Sequence, residues 1–332
     1  MVRRIAKVSD IEGTLHVDAY LTNMSESFMQ EAVNFISNVA ATNIPVLKAS
    51  DKFVKYPRGY FWRDEAEVRP LGGRPPQVGY KIGSDNYNAE EWALEHTVDD
   101  RQRANTDAPI RLDVNAVNLL TQKQMIRADR LWSALVWTTG VWIQDFTPTL
   151  PWDNANSIPI KDVDTQKEFM FQNTGFMPNT LILGANVKKE LRSHPDLVDR
   201  IKYTQTGILD DQLLARLFDV QNVRVARSIY NAANETDGAT GGEDFHYIVD
   251  PDSAWLGYIA PSAGLDTPTA IARFAWTGLI PGAANQFGGV ITRGRDDRAY
   301  TDWFHSRTAF GFKIVSEELG MFFPNLTGAL SQ

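Results

Sequence analysis

The sequence contains no cysteine, and this absence excludes several kinds of bond and site. A chain without cysteine has no disulfide, no thiolate nucleophile and no cysteine-ligated zinc. We therefore expect a protein suited to a reducing cytoplasm, where disulfides do not persist. Its stability must come from packing and from contacts between subunits.

The sequence also lacks an excess of positive charge. Its 33 Lys and Arg residues against 41 Asp and Glu residues give a net charge of −8. Dedicated nucleic-acid readers gain affinity from clustered Lys and Arg, which displace counterions from phosphate groups. The composition argues against such a reader, and any contact with DNA is expected to be non-specific.

Long apolar segments are absent as well. The longest apolar run, 131–143, is shorter than the roughly 20 residues that a helix needs to cross a bilayer. The basic residues near the start of the sequence are not followed by the apolar segment of a signal peptide. We predict no membrane span and no signal peptide.

No motif of a common catalytic or phosphate-binding site is present. The five histidines lack HExxH spacing, and there is no GxGxxG, GxxxxGK[ST] or GxSxG pattern. His194 stands before Pro195, which indicates the C-terminus of a helix, where the helix dipole favours a nearby cation. We predict no catalytic residue, no cofactor and no metal site.

Core-forming residues, in contrast, are abundant. The chain is 43% hydrophobic and contains 9 Trp and 17 Phe, enough for a large core in one or two domains. Trp132, Trp137 and Trp142 are interpreted as core or subunit-contact residues, against the alternative of a stacking platform for bases.

The first part of the chain predicts an arm followed by a long hairpin. Residues 21–37 place apolar side chains at helical spacing, which predicts one helix in a polar arm. Over 44–81, short β-type runs (PVLKA, KFVKY, GYFW and QVGYKI) are broken by RPLGGRPPQ, which predicts a two-stranded excursion with a Gly/Pro tip. Such a hairpin cannot bury its own surface, so we expect it to lie on something else.

An acidic stretch, 85–107, precedes a long helix. Asp107 and Pro109 predict the N-terminus of this helix, and neither Pro nor Gly interrupts it before Gly140. At 1.5 Å per residue the helix would approach about 45 Å, far longer than usual. Its apolar side is predicted to consist of Val114, Val117, Leu120, Leu131, Leu135 and Trp137.

After Thr147 the pattern is mixed α/β. It predicts strands at 180–183 and 223–226 and helices at 185–193 and 210–218. A Gly- and Asn-rich exposed loop is expected at 231–244, and closing strands at 290–292 and 310–315 are joined through the charged turn RGRDDRAY.

This order of elements resembles the major capsid proteins of tailed bacteriophages, whose Hong Kong 97-type fold encapsulins share. The segments that carry the resemblance are VDAYLTN, VLKASDKFVKYPRGYFWRDEAEVRPLGG, YNAEEWALEHTVDD, FMPNTLILGANVKKELRSHPDLVDRIKY and WFHSRTAFGFKIVSEELG. The PNTLIL strand followed by the VKKEL helix, His-Pro and DRIK resembles the start of the axial domain in that family.

The resemblance implies an α+β fold with four parts: an N-terminal arm (1–42), an extended β-hairpin loop (43–84), a peripheral domain with a long spine helix (85–147 and 287–332) and an axial α/β domain (148–286). It implies a structural protein, not an enzyme, that self-assembles into pentamers and hexamers of an icosahedral shell around the phage genome. Further implied partners are a separate scaffolding protein, a portal protein at one vertex, packaged double-stranded DNA in non-specific contact and a decoration protein. The implied location is the virion, after assembly in the host cytoplasm.

Two other functions stay open on the sequence. An encapsulin-type nanocompartment has the same architecture but encloses protein cargo. An α/β enzyme built on the segment after Thr147 would be a compact monomer or dimer with a pocket.

Two adjacent segments of opposite charge predict where subunits meet. Over 48–81, eight basic residues against four acidic ones give +4, and over 85–107, seven acidic residues against two basic ones give −5. If the hairpin projects, the two segments are suited to meet between neighbouring subunits; the alternative is that both are solvated faces. The predicted contact residues are Arg58, Arg63, Arg69, Arg74, Glu90, Glu91, Glu95, Asp99 and Asp100.

Part of the family cross-links an extended-loop Lys to an Asn of a neighbour. The loop lysines here, Lys48, Lys52, Lys55 and Lys81, lie near its base, and the tip carries Arg69 and Arg74, which form no isopeptide bond. We therefore expect a non-covalent shell.

Overall fold

The computed structural model describes residues 29–106, 110–201, 210–233, 242–262, 264, 267–284 and 287–328. Most of the predicted arm helix, the predicted helix start at 107–109 and the middle of the Gly- and Asn-rich loop lie outside these residues. In the described part of the arm the chain forms a short 3-10 turn, Ala32–Asn34, so the predicted helix does not continue through residues 29–37. Among the described residues, no helix is long and apolar enough to cross a membrane.

The described chain alternates strands and helices. The strands are β1 (Thr42–Val46), β2 (Ser50–Lys55), β3 (Gly83–Asn88), β4 (Glu90–Asp99), β5 (Thr180–Gly184), β6 (Asn222–Ala226), β7 (Ile229–Asn231), β8 (Phe245–Tyr247), β9 (Ala254–Gly257), β10 (Ile271–Trp276), β11 (Val290–Asp296), β12 (Thr301–Ile314) and β13 (Gly320–Phe323). The helices are α1 (Arg58–Phe61), α2 (Asp100–Asn105), α3 (Leu112–Val136), α4 (Pro159–Thr174), α5 (Ala185–Ser193), α6 (Pro195–Ile201) and α7 (Asp211–Leu217).

The first sheet is organised around β12, the longest strand. β4 pairs with β12 from Thr301 to Phe310. β11 pairs with β12 up to Arg307, and β10 pairs with it from Phe310 onward. β1 adds to β10 in parallel. The predicted closing strands are confirmed, because β11 and β12 form an antiparallel hairpin. The predicted turn RGRDDRAY is shorter than expected, since its first four residues belong to β11 and β12 already begins at Thr301.

The second sheet has the order β13-β9-β5-β6. β5 is paired on both sides and buried over its whole length, which explains its continuous apolar sequence. Its core also contains side chains of α4, α5, α6 and α7. The predicted strands and helices of this region, 180–183, 185–193, 210–218 and 223–226, are confirmed to within a residue or so.

The predicted spine helix is confirmed as α3, but its buried face differs from the prediction. Its 25 residues span about 37 Å and end at Val136, short of Gly140. The buried face follows a four-residue spacing through Ala116, Leu120, Gln124, Ala128, Trp132 and Val136. Of the predicted face, Leu120 and Trp137 are buried as expected, whereas Val114 is half exposed. Small and amide side chains let the helix lie close on β4 and β12, so the apolar pattern alone was misleading.

The tryptophans join the two sheets. Trp132, Trp137 and Trp142 are each at most 9% exposed and lie in one cluster with Trp255 and Phe322 of the second sheet. Their prediction as core residues is confirmed.

The boundaries of the peripheral and axial domains stay a prediction. By strand pairing, β10 belongs to the first sheet although it precedes residue 287, and β13 belongs to the second sheet although it follows it. The chain therefore passes between the sheets more often than a single division implies.

Candidate assembly surface

The extended loop projects from a short two-stranded base. β2 and β3 pair antiparallel from Ser50 opposite Asn88 to Lys55 opposite Gly83, and no strand occurs between them. The predicted hairpin is therefore confirmed at its base, whereas GYFW and QVGYKI were wrongly predicted as strands. GYFW lies in the helical turn α1, preceded by Pro57 at φ −67°, and QVGYKI has no strand partner to pair with.

The root of the loop is held by its own subunit. Arg58 donates to the backbone carbonyl of Asn173 at the end of α4 (2.5 Å) and lies 3.9 Å from Glu318. Three aromatic rings with centroids 5.3 to 6.2 Å apart support the turn: Tyr56, Phe61 and Tyr80. Arg58, a predicted contact residue, is thus already engaged within the subunit.

The tip of the loop, 63–78, is solvent-exposed. Val68 and Leu71 are fully exposed, which is unusual for large apolar side chains and typical of interaction sites. Arg69 and Arg74 are exposed, and neither forms an ion pair with a described residue. Arg63 lies over the ring of Tyr60 and 3.8 Å from Glu65, so it is engaged locally.

Two predicted acidic contact residues are paired inside the subunit. Glu91 accepts a hydrogen bond from Arg307 of β12 (2.7 Å), and Glu95 lies 2.8 Å from Nε2 of His305. The antiparallel register of β4 and β12 places these residues on one face of the sheet. Sequence reasoning missed Arg307 and His305, which lie more than 200 residues away along the chain.

The end of the acidic stretch has structural roles. Asp99 caps α2 by accepting from the backbone N–H of Arg101, and Gln102 completes a capping box. Asp100 lies 2.6 Å from Nη2 of Arg295 on β11. Both predicted contact residues therefore contribute to the fold of their own subunit.

Beside them, Asp302 binds three arginines. Arg103, Arg293 and Arg295 donate to its carboxylate at 2.8, 2.9 and 3.3 Å. Hydrogen bonds from Arg293 and Arg103 lower the pKa of Asp302 to about 2. This cluster fixes α2 and β11 to β12.

Four of the nine predicted contact residues thus have no ion-pair partner among the described residues: Arg69, Arg74, Glu90 and Asp99, of which Asp99 serves as the cap of α2. Glu90 is exposed on β4 and, among the described residues, accepts only from the side chain of Asn88 (3.3 Å). The structure brings Glu91, Glu95, Asp99 and Asp100 together along β4 and the start of α2. Three of them pair with Arg307, His305 and Arg295 of their own subunit, and Asp99 caps α2.

Asp129 of the spine helix was not predicted as important, yet it joins three parts of the chain. It is fully buried and accepts from the backbone N–H groups of Ile36 (3.2 Å) and Ser37 (2.9 Å) and from the hydroxyl of Ser228 (2.7 Å). Burial raises the pKa of Asp129, and these hydrogen bonds oppose the rise. The arm is therefore fixed to the helix by a carboxylate that no cation accompanies among the described residues.

His194 lies at the C-terminus of a helix, as predicted, because α5 ends at Ser193. It lies buried between α5 and α6, and its Nδ1 accepts from the backbone N–H of Asp196 (3.2 Å). Nε2 therefore carries the proton and donates to the carbonyl of Asn154 (3.0 Å), close to the Ser157 hydroxyl (2.9 Å). An imidazole with its proton on Nε2 is not arranged to accept a proton from Ser157, so this pair is not a catalytic dyad. No group of three potential metal ligands occurs within the described residues.

Comparison with known sequences agrees with this architecture. No family model matches the chain. The major capsid protein of Burkholderia phage BcepMu is 27% identical over 219 residues, which cover 64% of this chain and 70% of that protein.

Solved structures resemble about nine tenths of the chain. A phage-related protein from Bordetella bronchiseptica RB50 has a TM-score of 0.67 at 18% identity, covering 90% of this chain and 94% of its own. The mature capsid of bacteriophage PhiM1 has a TM-score of 0.57 at 12% identity, covering 93% and 91%. The chain therefore has the tailed-phage capsid fold, and the resemblance seen in its sequence is confirmed.

Proposed function

We infer that this chain is a major capsid protein, the subunit of a tailed-phage shell that assembles with copies of itself. The observation that carries the inference is the similarity to the BcepMu major capsid protein over nearly two thirds of the chain. The fold adds that the remainder is built like a capsid subunit as well, since the PhiM1 capsid matches over nine tenths.

The exposed loop gives a physical reason for assembly. A two-stranded hairpin is marginal in water, and here it carries fully exposed apolar residues at its tip. An isolated monomer gains nothing from such a segment. A subunit in a lattice buries it against a neighbour.

The finer features of the shell are part of the same proposal. We assign pentamers and hexamers in an icosahedral lattice, a separate scaffolding protein, a portal at one vertex, non-specific contact with packaged double-stranded DNA and attachment of a decoration protein. Assembly takes place in the host cytoplasm, and the role is structural rather than catalytic. The arrangement of His194 and Ser157 supports the last point.

Purified protein tests the proposal directly. A shell subunit elutes near the void volume of a sizing column and gives icosahedral particles in negative stain. A compact monomer or dimer that never forms particles would instead support the α/β enzyme. Particles that enclose protein and exclude nucleic acid when isolated from infected cells would support an encapsulin-type compartment.

Deleting the loop from residue 57 to residue 78 tests its role in the lattice. Replacing these residues by a short Gly/Ser connection should leave a soluble subunit that still unfolds cooperatively, because none of them is buried and the contacts that are lost, such as that of Arg58 with Asn173, lie at the surface. The variant should form no shells. Normal particles from it would show that the loop is dispensable for assembly.

Arg69, Arg74 and Glu90 retain their proposed contact role, since they have no ion-pair partner among the described residues. Reversing both arginines to Glu should weaken assembly at low ionic strength, and reversing Glu90 to Arg in the same chain should restore part of it. High salt should reduce the difference, because it screens exposed charges. If the double variant assembles like the parent at both ionic strengths, the basic charge of the loop has no assembly role.

A further inference from the structure

Residues 277–289 form an excursion between two strands that lie along the same edge of β12. β10 pairs with β12 as far as Phe310, and β11 begins opposite Arg307. Since β4 occupies the other edge of β12 up to Phe310, β10 and β11 must share the remaining edge. The chain therefore leaves the sheet after β10 and returns to it only a few residues further along β12.

The excursion folds back over the face of the sheet that carries α3. Its residues Ile280 and Ala283 are buried. Gly288 approaches Thr121 of α3 so closely that a Cβ would not fit between them, and its carbonyl accepts from the hydroxyl of Ser306 on β12 (3.3 Å). The described part of the excursion thus encloses side chains of β10 and β12 beneath it.

Arg273 of β10 is the charged side chain that the excursion encloses. It is only 1% exposed, and its guanidinium lies over the rings of Phe287 and Phe310, 4.4 and 4.8 Å from their centroids. Nη2 lies 3.5 Å from the carbonyl of Ala283, at the outer limit of a hydrogen bond. Nε and Nη1 are buried and have no acceptor among the described residues. The rings therefore fix the guanidinium while two of its donor nitrogens stay unused.

No carboxylate of the described chain compensates the charge of Arg273. The excursion contains neither Asp nor Glu. Burial lowers the pKa of Arg273 to about 10, so the side chain is still protonated at neutral pH. Fully buried arginines are normally paired, because a charge removed from water without a partner is unfavourable, and aromatic contacts offset only part of this. The site is therefore short of one negative charge.

A second unused donor lies on the same face of β12. Thr308 is fully buried, and its hydroxyl has no partner among the described residues. Arg273 stands opposite Phe312, but its guanidinium lies over Phe310, so the side chain extends along β12 toward Thr308. Side chains two residues apart on a strand share a face. Nε, Nη1 and the hydroxyl together form a set of hydrogen-bond donors under the excursion.

We propose that Arg273 and Thr308 bind a small inorganic anion of about the size of chloride beneath the excursion. A carboxylate of another subunit does not reach a guanidinium that is 1% exposed. The remaining unpartnered atom nearby, Oδ1 of Asn43 on β1, is an acceptor and takes no part in holding the anion. The anion supplies the missing charge and joins the excursion to the sheet. This inference concerns the folded subunit and does not depend on shell assembly.

Thermal unfolding of dispersed subunits tests the site when chloride replaces gluconate, a much larger anion, at constant pH and ionic strength. The midpoint should rise and saturate. At a chloride concentration ten times the dissociation constant, the folding equilibrium constant rises about elevenfold, or about 2–4 °C in midpoint. Arg273→Met keeps an apolar stem without the charge and should abolish the rise. Arg216→Met, at an exposed position on α7, should retain it.

Thr308→Val removes the hydroxyl at nearly constant volume and also decides the question if Arg273→Met does not fold. The chloride concentration for half of the effect should increase about tenfold. The proposal is overturned if the parent shows no saturable rise, if the rise persists in Arg273→Met, or if Thr308→Val binds like the parent. Internal water would then satisfy these donors. Loss of the rise in Arg216→Met would also overturn it, by showing a general effect of charge.

A crystal of the subunit grown with bromide in place of chloride locates the anion. An anomalous diffraction peak should lie beside the guanidinium of Arg273 and the hydroxyl of Thr308. A bromide peak only at the surface, or none, would show that these two residues do not bind an anion.

Discussion

Replacing Asp129 by Ala should detach the arm and destabilise the subunit. The change strands two backbone N–H groups, of Ile36 and Ser37, and the hydroxyl of Ser228. A buried donor without an acceptor costs about 1–3 kcal/mol, and breaking a buried charged network typically costs about 3–5 kcal/mol. In the parent, burying a carboxylate without a cation nearby is itself unfavourable, so removing it offsets part of this cost. We expect the free energy of unfolding to fall by about 3–5 kcal/mol.

The arm has an alternative to leaving these donors unsatisfied. It can leave the helix and hydrate them, but Phe35 and Ile36, each at most 2% exposed, then lose their burial. Exposing a large apolar side chain costs about 1.5–3 kcal/mol. Whether the arm stays on the helix or leaves it, the free energy of unfolding therefore falls by a similar amount.

Asp129→Asn keeps the shape of the side chain but removes its charge, so it separates the two contributions to stability. The amide retains one oxygen for Ser37, and its NH₂ group can donate to Ser228, so only the hydrogen bond from Ile36 is lost. We expect a loss of about 1–2 kcal/mol. The measurement is urea unfolding of dispersed subunits followed by tryptophan fluorescence. Trp132 reports on the arm because its indole donates to the carbonyl of Ala40.

The pH dependence adds an independent check. Burial raises the pKa of Asp129 above its ordinary 3.8, so the folded subunit holds this proton more tightly than the unfolded chain does. The stability of the parent relative to Asp129→Asn should therefore rise as the pH falls through the raised pKa toward 3.8. Asp199→Ala, at an exposed position on α6, should change stability by less than about 0.5 kcal/mol. A loss below about 1 kcal/mol for Asp129→Ala would refute the anchoring argument.

Three further predictions concern the rest of the subunit. Asp302→Asn should lose stability at neutral pH, and the difference from the parent should vanish as the pH falls from about 4 toward the folded pKa of about 2, measured by unfolding at each pH. Gly311→Ala should lower the unfolding free energy by about 1–3 kcal/mol, because a Cβ would meet the carbonyl of Asn88 and force β12 away from the neighbouring chain. Boiled shells should run as a single monomer band on a reducing denaturing gel, and a ladder of multimers would refute the non-covalent shell.

The sequence predicted the second sheet best because local pattern and environment agree there. A strand buried on both faces, such as β5, reads as a continuous apolar run whatever its neighbours are. The buried face of α3 was misassigned for the opposite reason. It contains Ala116, Gln124 and Asp129, whose burial depends on the hydrogen bonds and close packing that distant segments supply.

The assembly surface was only partly predictable, because pairing of charges is a long-range property. Glu91 and Arg307 are 216 residues apart in sequence, and only the register of β4 against β12 brings them together. The row of Lys123, Arg127 and Arg130 at helical spacing was readable from the sequence. Its availability for a contact becomes evident only from the structure, in which none of the three forms an ion pair with a described acidic side chain.

Net segment charge is therefore the wrong quantity for predicting how these subunits meet. The hairpin has a net charge of +4 and the following stretch a net charge of −5. Within the folded subunit, however, Glu91, Glu95 and Asp100 of that stretch are already paired with basic side chains. What remains on the loop is ordered along the chain: Asp64, Glu65 and Glu67 precede the exposed Val68 and Leu71, Arg69 lies between these two, and Arg74 follows them. Two neighbouring pockets between α3 and β4 likewise present Lys123, Arg127 and Arg130 in one and Glu90 in the other. Surfaces on which acidic and basic side chains follow one another in a set order determine the direction and register of a contact. Surfaces of uniform charge would only attract each other.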